Sequence, residues 1–161
     1  RKSMEYFKPV IQHAAQKNVG IAIENLWDFN IAPKRRYTTT AEELVDLVDS
    51  LHKDFENVGI CWDVEHADIM QQAQGPALRM IGSRLKATHI SDNVGVKYDH
   101  VLPFDGYTDW NAFMKLLKEI KYGGDFTYEI HRYTSQLPDA MVPAALRYSV
   151  EMGNYLLSLA E

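Results

Sequence analysis

Four short hydrophobic runs divide the chain into successive units. They occupy residues 19–24, 58–63, 85–89 and 125–129. Each run is rich in β-branched or aromatic residues, and each is followed by a loop and a stretch with apolar side chains at helical spacing. Strands that alternate with helices are typical of a parallel sheet built from βα units. The pattern therefore predicts an α/β fold with four parallel strands.

Helices are predicted before, between and after these strands. The expected ranges are 3–17, 40–51, 67–74, 77–83 and 109–120, with a last helix that ends near residue 159. Thr40 and Glu43 have the spacing of a capping box at a helix start, and Asp109 is a second capping residue. Because no linker or low-complexity tract interrupts the alternation, residues 1–161 are predicted to form a single domain.

Each hydrophobic run ends in a side chain that can bind a metal ion. The four side chains are Glu24, Asp63, His89 and Glu129. Alternate residues of a strand face the same side of the sheet. The residues that share a face with the four candidate ligands are mostly small, and Leu85 is predicted to lie on that face too. Since the carboxyl ends of parallel strands meet at one rim, the four groups are predicted to converge there, above the small-residue interior of a barrel.

Composition and charge narrow the classes of function. A hydrophobic content of 46% and a charged content of 24% are those of a globular protein. The net charge of -5 disfavours electrostatic binding to nucleic acid or to an anionic membrane. No apolar stretch is long enough to span a bilayer. Because Cys61 is the only cysteine, no internal disulfide can form, and a reducing, cytoplasmic compartment is expected.

Several longer motifs resemble those of one known family. They are Ile23-Glu24-Asn25, residues 61–67, residues 88–93, residues 102–110 and Tyr128-Glu129, and they stand in family order. Together they resemble the xylose isomerase-like TIM barrels of AP endonuclease family 2, which include sugar epimerases, inosose dehydratases and hydroxypyruvate isomerases. The resemblance implies a (β/α)8 TIM barrel, of which this chain supplies the carboxyl-terminal half.

The same resemblance implies a ligand set and a reaction. Glu24, Asp63, His89 and Glu129 would hold one divalent ion, with Mn²⁺, Mg²⁺, Co²⁺ and Zn²⁺ all compatible. Glu24 and Glu129 would remove and return a proton beside a carbonyl group, through an enediolate, in a small keto sugar or polyol. His66 matches the family histidine that contacts a substrate oxygen. The predicted function is a metal-dependent sugar isomerase or epimerase, with an inosose-dehydratase-type lyase or a non-catalytic metal-binding half-barrel as alternatives.

Some positions depart from the family pattern. Asn30 stands near the place of a second acidic residue of the sugar epimerases, and Lys97 lies in a loop where they carry an arginine. Lys97 and Trp27 are candidate substrate contacts. His100 matches an extra metal histidine of the apurinic endonuclease branch, but Tyr98 replaces the aspartate of that branch. A phosphodiesterase acting on damaged DNA is therefore the least favoured function.

The length of the chain leaves the barrel incomplete. A whole (β/α)8 barrel takes about 250 residues, whereas 161 residues supply four βα units. Such a half-barrel has two unpaired strand edges and an uncovered interior. Two explanations stay open. Either an amino-terminal half-barrel is missing from this polypeptide, or two copies complete each other's barrel as a homo-oligomer.

Overall fold

A computed structural model describes residues 2–29, 34–97 and 99–160, with side chains described from residue 5 onward. The predictions on Asn30 and Tyr98 lie outside the described residues. The strands are β1 (Ile21–Glu24), β2 (Val58–Asp63), β3 (Leu85–Ile90) and β4 (Phe126–Tyr128). The helices are α1 (Lys2–Gln16), α2 (Ala41–His52), α3 (Val64–Ile69), α4 (Gln74–Ile81), α5 (Trp110–Glu119) and α6 (Val142–Ser158).

The four strands form one parallel sheet in the order β1-β2-β3-β4. Each strand pairs with the next one along the chain, and helices connect them, as βα units require. Ile23, Ile60 and Trp62 lie in a buried core together with apolar residues of the helices. On the opposite face of the sheet, Ala22 and Thr127 are exposed. The structure confirms the predicted parallel α/β architecture and shows a partial barrel with an open interior face.

Strand β3 contains one residue more than β2 along their shared ladder. Ile60 pairs with Leu85, but the next residue of β2 pairs with Ala87, so Lys86 is the extra residue of a β-bulge. Leu85 is only 5% exposed and belongs to the core, so its predicted place on the interior face was wrong. A Cβ on Gly59 would lie 2.2 Å from Cγ of Lys86, which shows that the lysine crosses the interior face there.

The segment after β2 also differs from the prediction. A helix was expected over residues 67–74, but α3 begins at Val64, directly after the strand. The reason is that Asp63 acts as its N-cap, with its Oδ1 accepting a hydrogen bond of 2.7 Å from the N–H of His66. Helix α4 begins at Gln74, which places Pro76 in its first turn, where proline is tolerated.

The long connection from β3 to α5 is organised by Asp92. This carboxylate is fully buried. Five donors lie within hydrogen-bond distance of it: the N–H of Asn93, Phe104 and Thr108, the indole N–H of Trp110, and the hydroxyl of Thr108, which it shares with the closer Oδ2 of Asp68. Gly106 passes so close that a Cβ there would lie 2.2 Å from Oδ1 of Asp92. Since so many donors depend on one side chain, Asp92 holds the connection in a single conformation above the sheet.

None of the helices that the structure describes is both long and apolar enough to cross a membrane.

Candidate metal centre

Four side chains from the carboxyl ends of the four strands meet at one rim of the sheet. They are Glu24, Asp63, His89 and Glu129, and one potential ligand atom from each lies within 4.8 Å of those of the others. The Nδ1 atom of His89 lies 3.3 Å from Oε1 of Glu24, 3.8 Å from Oδ2 of Asp63 and 2.9 Å from Oε2 of Glu129. The structure thus brings together all four predicted ligands, and their role in metal binding stays a prediction.

Three of the meeting atoms are buried and make no hydrogen bond. They are Oδ2 of Asp63, Nδ1 of His89 and Oε2 of Glu129. Nδ1 of His89 and Oε2 of Glu129 lie at ion-pair distance from each other, whereas Oδ2 of Asp63 lies 3.6 Å and 3.8 Å from the imidazoles of His66 and His89, too far for a hydrogen bond. A buried polar atom without a partner costs about 1–3 kcal/mol unless another group satisfies it. A divalent cation at their centre would do so. Three carboxylates and one imidazole are a donor set that suits Mg²⁺, Mn²⁺, Co²⁺ or Zn²⁺, and the residues present therefore fit the ion.

The electrostatics of the centre follow from close packing of acids and imidazoles. Burial tends to raise the pKa of Glu24, but His66 and His89 outweigh it and lower that pKa to about 2. Burial raises the pKa of Asp63 to about 7. The pKa of His66 is raised to about 9, because Glu24 and Asp63 outweigh the effect of burial. Cys61 and Glu24 raise the pKa of His89 to about 11. A cation at this centre would therefore compete with a proton for the imidazole of His89.

Asn25 locks the ends of β1 and β2 together. Its side chain is fully buried. Its amide Nδ2 donates to the carbonyl of Asp63 at 2.9 Å, and its Oδ1 accepts from the N–H of Asp63 at 2.7 Å. These bonds extend the pairing of the strands by one residue beyond the end of β1 at Glu24. Asn25 had no predicted role, although a polar residue directly after a candidate ligand was a signal that could have found it.

His66 lies beside the centre, as its motif predicted. Its Nδ1 atom is 3.3 Å from Oε1 of Glu24 and 3.6 Å from Oδ2 of Asp63. The same nitrogen is 2.8 Å from the backbone carbonyl of Asn25. Because a carbonyl oxygen only accepts, Nδ1 carries a proton. The other ring nitrogen, Nε2, is then the one suited to contact a substrate oxygen.

The two remaining predicted contacts lie on loops. Trp27 is half-buried in the segment after β1, and its ring centroid is 5.5 Å from that of Phe29. Lys97 is exposed in the connection after β3. The structure does not bring either residue into the group of four ligands. Their role as substrate contacts stays a prediction.

A second group of polar residues lies next to the four ligands and was not foreseen as a unit. Glu65 is fully buried, and its Oε2 accepts a hydrogen bond of 2.5 Å from the N–H of His100. The ring of His100 stacks on that of His131, with centroids 4.0 Å apart. Potential ligand atoms of Glu65, His66 and His100 also lie within 4.8 Å of one another. The acid between Asp63 and His66 was visible in the sequence, but its complete burial was not.

Comparison with known proteins assigns this chain to a family. The family model described as xylose isomerase-like TIM barrel matches residues 1–152. The chain belongs to this family. The resemblance inferred from the motifs is therefore confirmed, and the ligand group of this xylose isomerase-like protein lies at the strand ends, where barrels of this architecture carry their active sites.

Individual proteins resemble this chain over most of its length. An uncharacterized protein of Sinorhizobium fredii is 35% identical over 125 residues, which are 76% of this chain and 37% of the relative. A D-psicose 3-epimerase from Clostridium cellulolyticum H10, solved with D-tagatose, superposes with a TM-score of 0.78 at 22% identity. A 3-keto-D-glucoside 4-epimerase from E. coli superposes with a TM-score of 0.71 at 21% identity.

The extent of these matches defines what the chain contains. The match to the D-psicose 3-epimerase includes 96% of this chain but only 55% of that protein's chain. The match to the 3-keto-D-glucoside 4-epimerase includes 92% of this chain and 52% of that protein's chain. At these identities the superpositions establish the fold. The protein therefore has the fold of a partial TIM barrel, about half the length of the barrels that it resembles.

Proposed function

We propose that Glu24, Asp63, His89 and Glu129 hold one divalent cation, and that the complete protein is an epimerase or isomerase of a small keto sugar or polyol. The observation that carries this proposal is the convergence of four potential ligand atoms, three of them buried without a hydrogen bond, at the ends of neighbouring strands. Family membership supports it. One structural neighbour is named for epimerisation at carbon 4 of a 3-keto sugar, a carbon next to a carbonyl group.

Exposure separates the three carboxylates by role. The side chain of Asp63 is 0% exposed, whereas those of Glu24 and Glu129 are 29% and 36% exposed. Glu24 and Glu129 also come from the first and last strands of the sheet, so they approach the centre from two sides. Only these two carboxylates combine access with opposed positions. They are therefore the pair suited to take a proton from carbon and to return one.

The remaining residues orient the reacting groups. Asp63 is held by Asn25 on its backbone and by the N–H of His66 on its side chain. His66 keeps Nδ1 on the carbonyl of Asn25 and can offer Nε2 to a substrate oxygen. A bound divalent cation would supply positive charge next to the oxygen anion of an enediolate. The reaction class that results is proton exchange at a carbon beside a carbonyl group.

Deuterium incorporation from solvent tests the proposal in the complete protein supplied with a divalent metal. Glu129→Gln keeps the size of the side chain and one ligand oxygen but removes the base. We expect metal content to stay near that of the wild type, while deuterium wash-in to a ketose or inosose falls by orders of magnitude. Glu56→Gln is the control, because Glu56 is exposed and precedes β2 at the other end of the sheet.

The outcomes separate the candidate reactions. Unchanged exchange in Glu129→Gln would remove Glu129 from the catalytic role. Turnover by the wild type without deuterium in the product would indicate a hydride shift or a shielded proton transfer. A dehydrated product would assign the same centre to the lyase reaction. Wild-type protein that binds no divalent cation would contradict the metal centre itself.

A further inference from the structure

Glu129 lies just beyond the last strand, where its backbone has few neighbours to hold it. Strand β4 has only three residues, ends at Tyr128 and forms one edge of the described sheet. The N–H of Glu129 donates to the carbonyl of Ile90 at 3.1 Å. Its own carbonyl accepts from Nδ1 of His100 at 3.0 Å. His100 therefore provides a second contact that holds the backbone of this ligand, in addition to the bond from β3.

The backbone of His100 has an unfavourable conformation in the position from which it contacts Glu129. Its φ is 53°, in the left-handed region, and the residue is only 8% exposed. For a residue other than glycine such a conformation costs about 1–3 kcal/mol and persists where the surroundings enforce it. The enforcing group is Glu65, whose Oε2 accepts from the N–H of His100 at 2.5 Å. Glu65 stands two residues after Asp63 and is fully buried.

The hydrogen-bond partners of His100 determine which of its ring nitrogens carries a proton. A carbonyl oxygen accepts hydrogen bonds and cannot donate them, so Nδ1 carries the proton that binds Glu129. The other nitrogen, Nε2, lies 3.7 Å from Oε1 of Glu65, which is too far for a hydrogen bond. His100 therefore contacts Glu129, the residue after β4, through Nδ1.

We propose that Glu65 and His100 form a link that positions Glu129 relative to Asp63, and that His100 acts in this link through its Nδ1–H. The link joins the end of β2, through α3, to the residue after β4. It sets the separation of two ligands that come from non-adjacent strands. Both members are positioning residues, and the inference rests on the metal centre proposed above.

Replacement of His100 by asparagine, glycine and aspartate tests this role in the full chain. The Nδ2 atom of asparagine is bonded to Cγ as Nδ1 of histidine is, and asparagine tolerates a positive φ. Glycine also tolerates that φ but has no donor. Aspartate has the shape of asparagine but presents only acceptors. Asparagine can therefore replace the Nδ1 contact, whereas none of the three variants retains Nε2.

Two measurements follow these variants. One is the dissociation constant of Mn²⁺ by titration calorimetry, and the other is hydrogen–deuterium exchange of residues 126–131 in the metal-free protein. We expect His100→Gly and His100→Asp to weaken Mn²⁺ binding by about 10–100-fold, the range typical for lost outer-shell contacts, and to exchange faster. His100→Asn is expected to stay close to the wild type in both. Glu65→Gln, which keeps an acceptor oxygen, should bind Mn²⁺ more tightly and exchange more slowly than Glu65→Leu.

A control and the contrary outcomes complete the test. Lys121 also has a positive φ, 56°, and lies on the exposed surface before β4, away from the ligand rim. Lys121→Gly relieves the same backbone strain and is expected to change neither measurement. If His100→Asn behaves like His100→Gly, the proposed link through Nδ1 is wrong. Loss of a second equivalent of bound metal in the His100 variants would identify His100 as a metal ligand instead.

Failure of the proposed function gives a different result. Wild-type protein that binds no Mn²⁺ or other divalent cation contradicts the metal centre. Hydrogen–deuterium exchange of residues 126–131 in the metal-free protein is then the measurement that tests the link. Fast exchange in the glycine variant with recovery in the asparagine variant supports it. Equal exchange in all variants overturns it.

Discussion

Asn25→Ala is expected to damage both the fold and the metal centre. The substitution leaves the buried N–H of Asp63 without its partner at 2.7 Å and removes the 2.9 Å bond to its carbonyl, which as the N-cap carbonyl of α3 still accepts from the first turn of that helix. The buried N–H without a partner costs about 1–3 kcal/mol and the lost bond to the carbonyl about 1 kcal/mol, which together give a loss of about 2–4 kcal/mol. Domains are stable by about 5–15 kcal/mol. The loss is therefore large but leaves room for a folded population.

Chemical denaturation and metal titration measure the two effects in the complete protein. Asn57→Ala is the matched control, because Asn57 also joins backbone segments, donating to the carbonyls of Ile11 and Val19 at 3.2 Å and 2.9 Å. Val19 is 52% exposed, so water can replace that bond. We expect Asn57→Ala to lose about 1 kcal/mol with unchanged metal affinity. Asn25→Ala, measured well below its unfolding transition, should bind metal about 10–100-fold more weakly.

A third variant examines which of the two bonds matters. Asn25→Asp keeps an oxygen that accepts from the N–H of Asp63 but turns its second oxygen toward a carbonyl, where two acceptors repel. It should be at least as unstable as Asn25→Ala. The reasoning is refuted if Asn25→Ala loses no more stability than Asn57→Ala. It is equally refuted if metal affinity is unchanged in folded Asn25→Ala.

Three further outcomes are expected. Asp92→Asn puts an amide donor among the five donors that now share the carboxylate, so thermal unfolding should show a loss of at least about 2 kcal/mol. Gly106→Ala should lower the unfolding temperature because its Cβ would lie 2.2 Å from Oδ1 of Asp92, whereas Gly123→Ala, with no atom within 4 Å of its Cβ, should not. In metal-free protein, burial raises the pKa of Asp63 from 3.8 to about 7. The folded state then holds this proton more tightly, so stability should fall as pH rises from about 4 through 7, and Asp63→Asn should reduce that slope.

The strands and the convergence of ligands were predictable from local rules. Period-two alternation and β-branched runs identified the four strands, although β1 begins at Ile21 rather than Val19. Because parallel strands end at one rim, the end positions alone were enough to predict that Glu24, Asp63, His89 and Glu129 meet. These inferences needed only the direction of each strand, which βα connections enforce.

Other features depended on contacts between distant segments. The bulge at Lys86 reversed the face of Leu85, because one inserted residue shifts the alternation upstream of it, and no local signal marked the insertion. The start of α3 at Val64 depended on Asp63 acting as a cap as well as a candidate ligand.

The surroundings of the ligands were decided by tertiary structure alone. The amide of Asn25 reaches the backbone of Asp63 across 38 residues of sequence, and Glu65 reaches His100 across 35. In each pair, a buried side chain is hydrogen-bonded to the backbone of the other residue. Strand periodicity determines which residues arrive at the rim, because it acts on neighbours along the chain. Which polar groups then pair depends on distances set by packing, and those exist only once the sheet has formed.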